Sequence, residues 1–401
     1  MAPSTLNALP ITLSQARDSA AAANIDIIHA RQARLSALAG QTIAAARPNP
    51  VLSYESSQVR RRLPAQGNVP TADQIVRIDQ PIELGGKRSA RIKAASAAAE
   101  AATDDLADAR RQVLSQVDTA YAALRAAQDR AATTAAIAGD WARSYAIAAR
   151  RLAAGDLSAG EAARQRVEAV RADADALAAR SELRQAQTEL AILIGRDADA
   201  AQLVAADPWP APPLPVPLPP EDVAARRPDV RAAAARLAQA RHELTGARAL
   251  RVPDISVGVQ YEYQSQPIGV GPSVGFGIAV PLPVGTRYSG EIAQAGAALG
   301  DAEATAEKAL RAAVADISAA RSALATSVER RRRLETELLP AAQEAARTAE
   351  FAYARGALPL TDLLDARRAL AAASLGLVDA HQDEAAAAAR LQAAESSGDT
   401  Q

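Results

Sequence analysis

Residues 350–370 read EFAYARGALPLTDLLDARRAL, an Ala-rich helical run that stops at Gly356 and restarts as helix from an acidic first turn. A near-echo, AIAARRLAAGDLSAGEAARQRV, lies at 146–167. Gly155 and Gly356 fit the position just past a helix end, where the backbone turns left-handed. Ser158 and Glu161 fit a capping box that restarts the first returning helix. The chain therefore encodes the same helical U-turn twice, with the two glycines 201 residues apart.

The echo extends outward from the turns. NIDIIHARQARLSA (24–37) matches RPDVRAAAARLAQA (227–240), and NPVLSYE (49–55) matches VPDISVG (252–258), both at an offset of 203. QPIELGGKRSARI (80–92) matches VPLPVGTRYSGEI (280–292) at an offset of 200. The order is preserved and the offsets barely drift, which is how an internal duplication reads. The first repeat spans 1–206 and the second 221–401, joined by the Pro-rich strap DPWPAPPLPVPLPP (207–220), which cannot be helical.

Each repeat predicts helix, strand, strand, long helix, tight turn and helix. In the first these are helix 11–46, strands about 50–62 and 72–84, long helix 87–153, turn 154–160 and helix 161–195. In the second they are helix 221–250, strands about 253–265 and 272–284, long helix 287–354, turn 355–360 and helix 361–396. Thr12 and Gln15 form a capping box at the first helix start. Ile255, Val257, Val259, Tyr261 and Tyr263 alternate with polar or small residues, as do Val274, Phe276 and Ile278. That period of two marks strands with one apolar face. Leu114, Val117, Tyr121 and Leu124 step by three and four, and Val314, Ile317 and Leu324 occupy matching places. Leu363, Leu370, Leu377 and Leu391 keep a seven-residue register interrupted by Glu384, which is coiled-coil spacing.

Composition narrows the class. Hydrophobic residues are 49% of 401, yet there are only two Phe, two Trp and seven Tyr, so long helices packed through small residues are expected. Forty-five basic and 46 acidic residues nearly cancel, which points away from a nucleic-acid partner. The absence of Cys from these 401 residues excludes disulfides, thiolate metal sites and a Cys nucleophile among them, and no lipid on an N-terminal Cys is expected within this stretch. The start, MAPSTLNALP, lacks the basic and apolar regions of a signal peptide, so the chain is either cytosolic or a processed form. Charges interrupt every apolar run, so no transmembrane helix is expected, although a membrane β-barrel stays open.

At 1.5 Å per residue each long helix spans roughly 100 Å, and the two shorter helices of a repeat, laid end to end, match it. Each repeat can thus supply two full-length rods, with the hairpin at one end and the Gly turn at the other. Four strands with open edges cannot close a barrel. Three chains of four strands each make twelve, and cyclic symmetry removes the edges.

The paired hairpins, QPIELGGKRSARI (80–92), RVPDISVG (251–258), GDLSAGEAARQRVEA (155–169) and LPAAQEAARTAEFAYARGALPLTDLLDARRAL (339–370) resemble the TolC-like outer-membrane efflux proteins. QPIELGGKR is most similar to their CzcC/CusC-like heavy-metal branch. The resemblance covers nearly the whole chain. It implies a mostly α fold with a small β part, assembled as a homotrimer whose 12-stranded β-barrel continues into a long α-helical barrel. It also implies an outer-membrane location with a periplasmic extension, a periplasmic adaptor, and an inner-membrane RND-type pump that supplies the energy. The duct itself carries no cofactor and is not an enzyme.

In that family the U-turns are periplasmic tips that meet the adaptor and close the pore. The resemblance makes Asp362 and Asp365 acidic rings at the aperture and Tyr353 a tie between hairpins, with Glu161 at the corresponding acidic place of the first tip. The residues also allow plainer readings. The two aspartates suit a helix first turn, Tyr353 suits a helix seam, and Glu161 suits its capping role. Gly155, Leu157, Ser158, Gly356 and Leu358 would form the docking tips. At Leu358 the chain departs from the well-studied branch, which has a basic residue there; an apolar contact with the adaptor, shared with Leu157, replaces an ion-pair lock.

His29, His242 and His381 are scattered and make no ligand set, and Met1 is the only Met, so no dedicated metal site is expected. ELGGKR (83–88) lacks P-loop spacing, and its glycines read as a strand-to-helix turn. RRRLP (60–64) and ERRRRLE (329–335) read as solvated charge, the first alternatively as a contact to lipopolysaccharide phosphates. The resemblance therefore implies a passive exit duct, and its heavy-metal branch implies divalent heavy-metal cations as the cargo. The same duct serving drug or small-organic efflux or type I secretion is the alternative, and a soluble helical coiled-coil scaffold is the rival of another class.

Overall fold

In the computed structural model, residues 8–57, 73–264 and 271–398 are described. The strands are β1 (Leu9–Ile11), β2 (Val51–Ser57), β3 (Asp73–Ile82), β4 (Leu203–Ala205), β5 (Ile255–Gln264) and β6 (Ser273–Ala279). The helices are α1 (Leu13–Ala23), α2 (Ile25–Ala45), α3 (Lys87–Ala153), α4 (Ala159–Leu193), α5 (Pro220–Ala224), α6 (Pro228–Ala249), α7 (Ser289–Arg333), α8 (Leu339–Ala354) and α9 (Leu360–Glu395). A 3-10 turn covers Asp197–Gln202 and a π turn covers Leu334–Leu338. The chain is mostly helical with a small sheet. The cluster at 60–64 lies outside the described residues, as do parts of the strands expected at 50–62, 72–84 and 253–265.

Two compact units form, and each draws on both halves of the sequence. The helical unit takes the residues up to Arg31, Asp105–Val230 and the chain from Leu310. The sheet unit takes Gln32–Asp104 and Arg231–Ala309.

Within the helical unit Thr12 caps α1, and the reciprocal bonds with Gln15 complete a capping box. The helix expected over 11–46 is interrupted at Asn24, whose backbone is extended. Its side chain explains the break: Nδ2 donates to the Leu193 carbonyl at 3.0 Å, and Oδ1 accepts from the Asp26 amide at 2.9 Å. Asn competes with helical backbone bonding in this way. Residues 9–11, the first of which precede that expected helix, instead form β1, paired in parallel with β4. Ile11, Val117, Leu124 and Leu190 bury together in one core; Val223, Ile317, Leu324 and Leu391 bury in a second.

The long helix expected over 287–354 is split by the π turn. Pro340 follows it in the first turn of α8. Proline lacks an N–H and its ring clashes with the carbonyl four residues back, here Thr336, so one widened turn absorbs it. The helix expected over 221–250 is likewise two helices, with α6 opening on Pro228, a residue suited to a helix start.

The sheet unit holds one antiparallel sheet in the order β2-β3-β5-β6. Its central pair, β3 with β5, joins the hairpin of the first repeat to that of the second, from Asp73↔Gln264 to Ile82↔Ile255. The strand expected over 272–284 ends at Ala279, because Pro281 and Pro283 remove ladder donors. Gly85 and Gly86, at φ of 70° and 81°, turn β3 into α3. A side chain at Gly85 would meet the Val252 Cβ at 2.7 Å. Asp254 accepts from the Leu84 amide at 2.9 Å and from Lys87 Nζ at 2.7 Å, and Arg88 and Arg91 donate to the carbonyls of Ala44, Ala45 and Ala46. The QPIELGGKR segment thus clamps the end of α2 and the start of β5 to one turn.

Candidate functional site

Two surfaces carry the functional argument: the helical U-turns and the sheet. Both U-turns are Schellman motifs. In the first, the Asp156 amide donates to the Arg151 carbonyl at 2.8 Å and the Gly155 amide to Leu152 at 3.0 Å, with Gly155 at φ 82°. In the second, the Ala357 amide donates to Ala352 and the Gly356 amide to Tyr353, both at 3.0 Å, with Gly356 at φ 75°. Only the returning helices differ at their starts. Ser158 caps α4 through a capping box with Glu161, and these hydrogen bonds hold the Glu161 carboxyl below the usual carboxylate range. Pro359 precedes α9 and supplies no side-chain cap.

Above the turns, Trp141 of α3, Ala172 of α4, Ala349 of α8 and Leu360, Leu363 and Leu364 of α9 bury in one cluster. Tyr353 and Leu358 pack against it half-buried. Leu358, expected to meet an adaptor, therefore spends part of its surface on its own chain; Leu157 is also half-buried. Asp362 and Asp365 are both exposed, but their surroundings differ. Asp362 accepts from the Thr361 hydroxyl at 3.2 Å. Asp365 pairs with Arg368 at 2.8 Å, and Arg368 also reaches the buried Glu168 on α4 at 2.6 Å. Sequence reasoning missed Glu168 and Arg368. Nothing local marks a charge that sits in a seam between two helices 200 residues apart. Arg367 is a second link: it donates to the Ser144 hydroxyl at 2.6 Å, pairs with Glu350 at 2.8 Å and lies 5.6 Å from the Trp141 ring centre.

The sheet separates its faces sharply. Leu52, Ile78, Val259 and Phe276 face one another across all four strands, as do Tyr54, Val76, Tyr261 and Val274. All eight are exposed, Phe276 by 84%. The opposite face carries Ser53, Arg77, Gln260 and Gly275 in register, with Arg77 paired to Asp79 at 2.7 Å. Gly258 sits opposite Asp79, and a Cβ there would collide with the Asp79 carboxylate and lie 3.1 Å from Arg77 Nε. Glycines on this face therefore make room for long polar side chains that lie along the sheet. Among the described residues, strands β2 and β6 each have one neighbour, so each leaves one edge unpaired there.

The strap 207–220 crosses the helical unit under many ties. The Asp207 amide donates to the Tyr121 hydroxyl at 3.0 Å, and the Asp207 carboxylate accepts from the Leu13 amide at 2.6 Å. Arg321 donates to the carbonyls of Leu218 and Val216 and pairs with Glu395 at 2.7 Å. Tyr121, a seam residue by its spacing, is thus also a polar anchor. Among the described residues no group of three or more His, Asp and Glu side chains is placed to hold a metal ion, and no helix is long and apolar enough to cross a membrane.

A chain of helical hairpins with an exposed apolar sheet face has close counterparts. The family described as outer membrane efflux protein matches residues 16–196 and 220–395, and this chain belongs to it. The cobalt-zinc-cadmium resistance protein CzcC of Cupriavidus metallidurans is 29% identical over 369 residues, covering 90% of this chain and 84% of that protein. Among solved structures, a membrane protein from Pseudomonas aeruginosa superposes with a TM-score of 0.84 at 23% identity, over 96% of this chain and 93% of that one. CusC superposes with a TM-score of 0.80 at 18% identity, over 97% and 92%. The fold is that of the TolC-like channels.

Proposed function

We propose that this chain is one third of an outer-membrane exit duct of a tripartite efflux pump. The observation that carries the reading is the sheet, with exposed apolar rows across one face, a polar opposite face and, among the described residues, two edges without a neighbour. In water such a surface is a liability. In a closed trimeric barrel the apolar rows meet lipid, the polar face lines a water-filled channel, and the edge of β2 pairs with β6 of the next chain. A soluble scaffold gives no account of those rows. The duct passes its cargo without chemistry, and its direction and energy come from an inner-membrane pump through a periplasmic adaptor. The U-turns are the docking and gating ends. Likeness to CzcC supports divalent heavy-metal cations as the cargo.

The chain has no cysteine, so cysteine pairs placed on the β2 and β6 edges report assembly directly. A disulfide-linked trimer in outer-membrane extracts is the expected result, and monomers alone would refute the duct. Cells lacking the protein should lose tolerance to one or more of zinc, cobalt, cadmium, nickel and copper. Unchanged metal tolerance with new sensitivity to organic toxins would reassign the cargo and leave the duct standing.

A further inference from the structure

One cluster in the helical unit is used neither by the U-turns nor by the sheet. The strap residue Trp209 stacks on His381 of α9, with ring centres 5.2 Å apart and planes inclined by 14°. Trp209 Nε1 also donates to Asp129 of α3 at 3.0 Å. Arg331 of α7 pairs with the buried Glu384 of α9 and with Glu335 of the π turn, each at 2.5 Å. Arg331, Glu335, Glu384 and Asp129 all act electrostatically on His381. The strap, three helices and the π turn therefore converge around one half-buried imidazole.

We propose that the Trp209–His381 stack is a proton-responsive latch, which holds the strap against α9 while the imidazole is neutral and loosens when it is charged beside Arg331. Stacking of two neutral rings is favourable without any ionic contribution. Burial first, and the Arg331 charge second, hold the His381 pKa below its ordinary value, against the pull of Glu335, Glu384 and Asp129. A base whose pKa is lowered in the closed form stabilises that form fully above its ordinary pKa of about 6.5. The contribution is lost as pH falls through the lowered value. The latch also abuts the π turn, where the hydrogen-bond ladder from α7 to α8 is interrupted. Release loosens the strap locally at Trp209, while the ties at Asp207, Val216 and Leu218 hold its ends. The inference rests on contacts within one chain and does not depend on the duct reading.

The test uses the full-length protein in detergent with Trp141→Phe, which leaves Trp209 as the single tryptophan. Between about pH 8 and pH 5, acid should shift Trp209 emission to the red and raise its quenching by acrylamide about twofold, with a midpoint below 6.5. His381→Phe keeps a ring to stack on but cannot be protonated, so its signal should stay flat. Arg331→Gln removes the repelling charge and should move the midpoint upward, which keeps the idea testable if His381→Phe does not fold. A flat parent titration, an unchanged pH response in His381→Phe, or an unmoved midpoint in Arg331→Gln would each overturn the latch.

Discussion

Arg368 on α9 closes on Glu168 of α4 across 200 residues of sequence, with Nη2 2.6 Å from Oε1 and Nε 3.3 Å from Oε2. The carboxylate is buried and the guanidinium is half-exposed, so the pair links the two helical hairpins under partial screening. Arg368→Ala should destabilise the helical unit by about 1–2 kcal/mol, less than a fully buried pair would cost, because water reaches the arginine. Arg368→Lys should recover only part of this, since ammonium cannot reproduce the two-point contact. Thermal unfolding of the three proteins decides it; a loss no larger than that of an exposed surface pair would show that the link is incidental.

Acid should weaken the same unit through Asp229. Burial pushes its carboxyl up, but hydrogen bonding to Arg227 and the charges of Arg227 and Arg111 hold it below the usual value. A lowered carboxylate contributes stability above its unfolded pKa of about 3.9. That contribution disappears as pH falls through the lowered value. The buried Arg227 also bonds Asp316 at 2.7 Å, so Asp229→Asn should leave a protein that folds but is about 1–3 kcal/mol less stable at neutral pH. Its stability should depend less on pH in the acid range, as denaturant titrations at several pH values would show.

Two glycines with similar backbones should respond differently to alanine. Gly356 has φ 75° and open space around it, so Gly356→Ala should cost about 1–2 kcal/mol, the penalty for a left-handed residue. Gly85 has φ 70° and would also drive a methyl into Val252. Gly85→Ala should therefore cost more, with overpacking adding about 1–3 kcal/mol. Equal melting losses would argue against the close contact. At the first U-turn, Ser158→Ala should lower stability by about 1 kcal/mol through loss of the cap, with no comparable effect from Pro359→Ala.

The sheet offers the sharpest test of membrane insertion. Phe276→Arg places a charge at the β6 end of an exposed apolar row, and a lipid-facing charge costs about 2–4 kcal/mol near the bilayer midplane. Outer-membrane yield should fall steeply. Gln260→Arg, in the adjacent row on the opposite face, should insert normally. Equal yields would mean that the apolar face does not meet lipid.

Much of this protein was legible in its sequence because the signals are local. Gly155 and Gly356 end helices wherever the chain places them, since no other residue adopts that backbone so cheaply. Ser158 with Glu161 and Thr12 with Gln15 satisfy helix-end donors within four residues. Alternation over 255–263 exposes an apolar face whatever its neighbours. Pro340 and Pro228 were equally local signals for the split helices, but a strong helical period over 287–354 hides a single proline, because one π turn suffices to absorb it. His381 and Trp209 carried no sign of their stack, being far apart in the chain.

The sequence by itself determined most of the helices, their Gly turns and the faces of the strands, all of which follow from backbone propensity and short-range periodicity, but not β1, β4 or the helix breaks at Asn24 and 334–338. Only the tertiary structure decided that each compact unit is assembled from both repeats, that β3 pairs with β5 to merge two hairpins into one sheet, and that Glu168 finds Arg368. Those outcomes depend on pairing and burial between residues about two hundred apart, and periodicity within a segment holds no record of which distant surface will cover it.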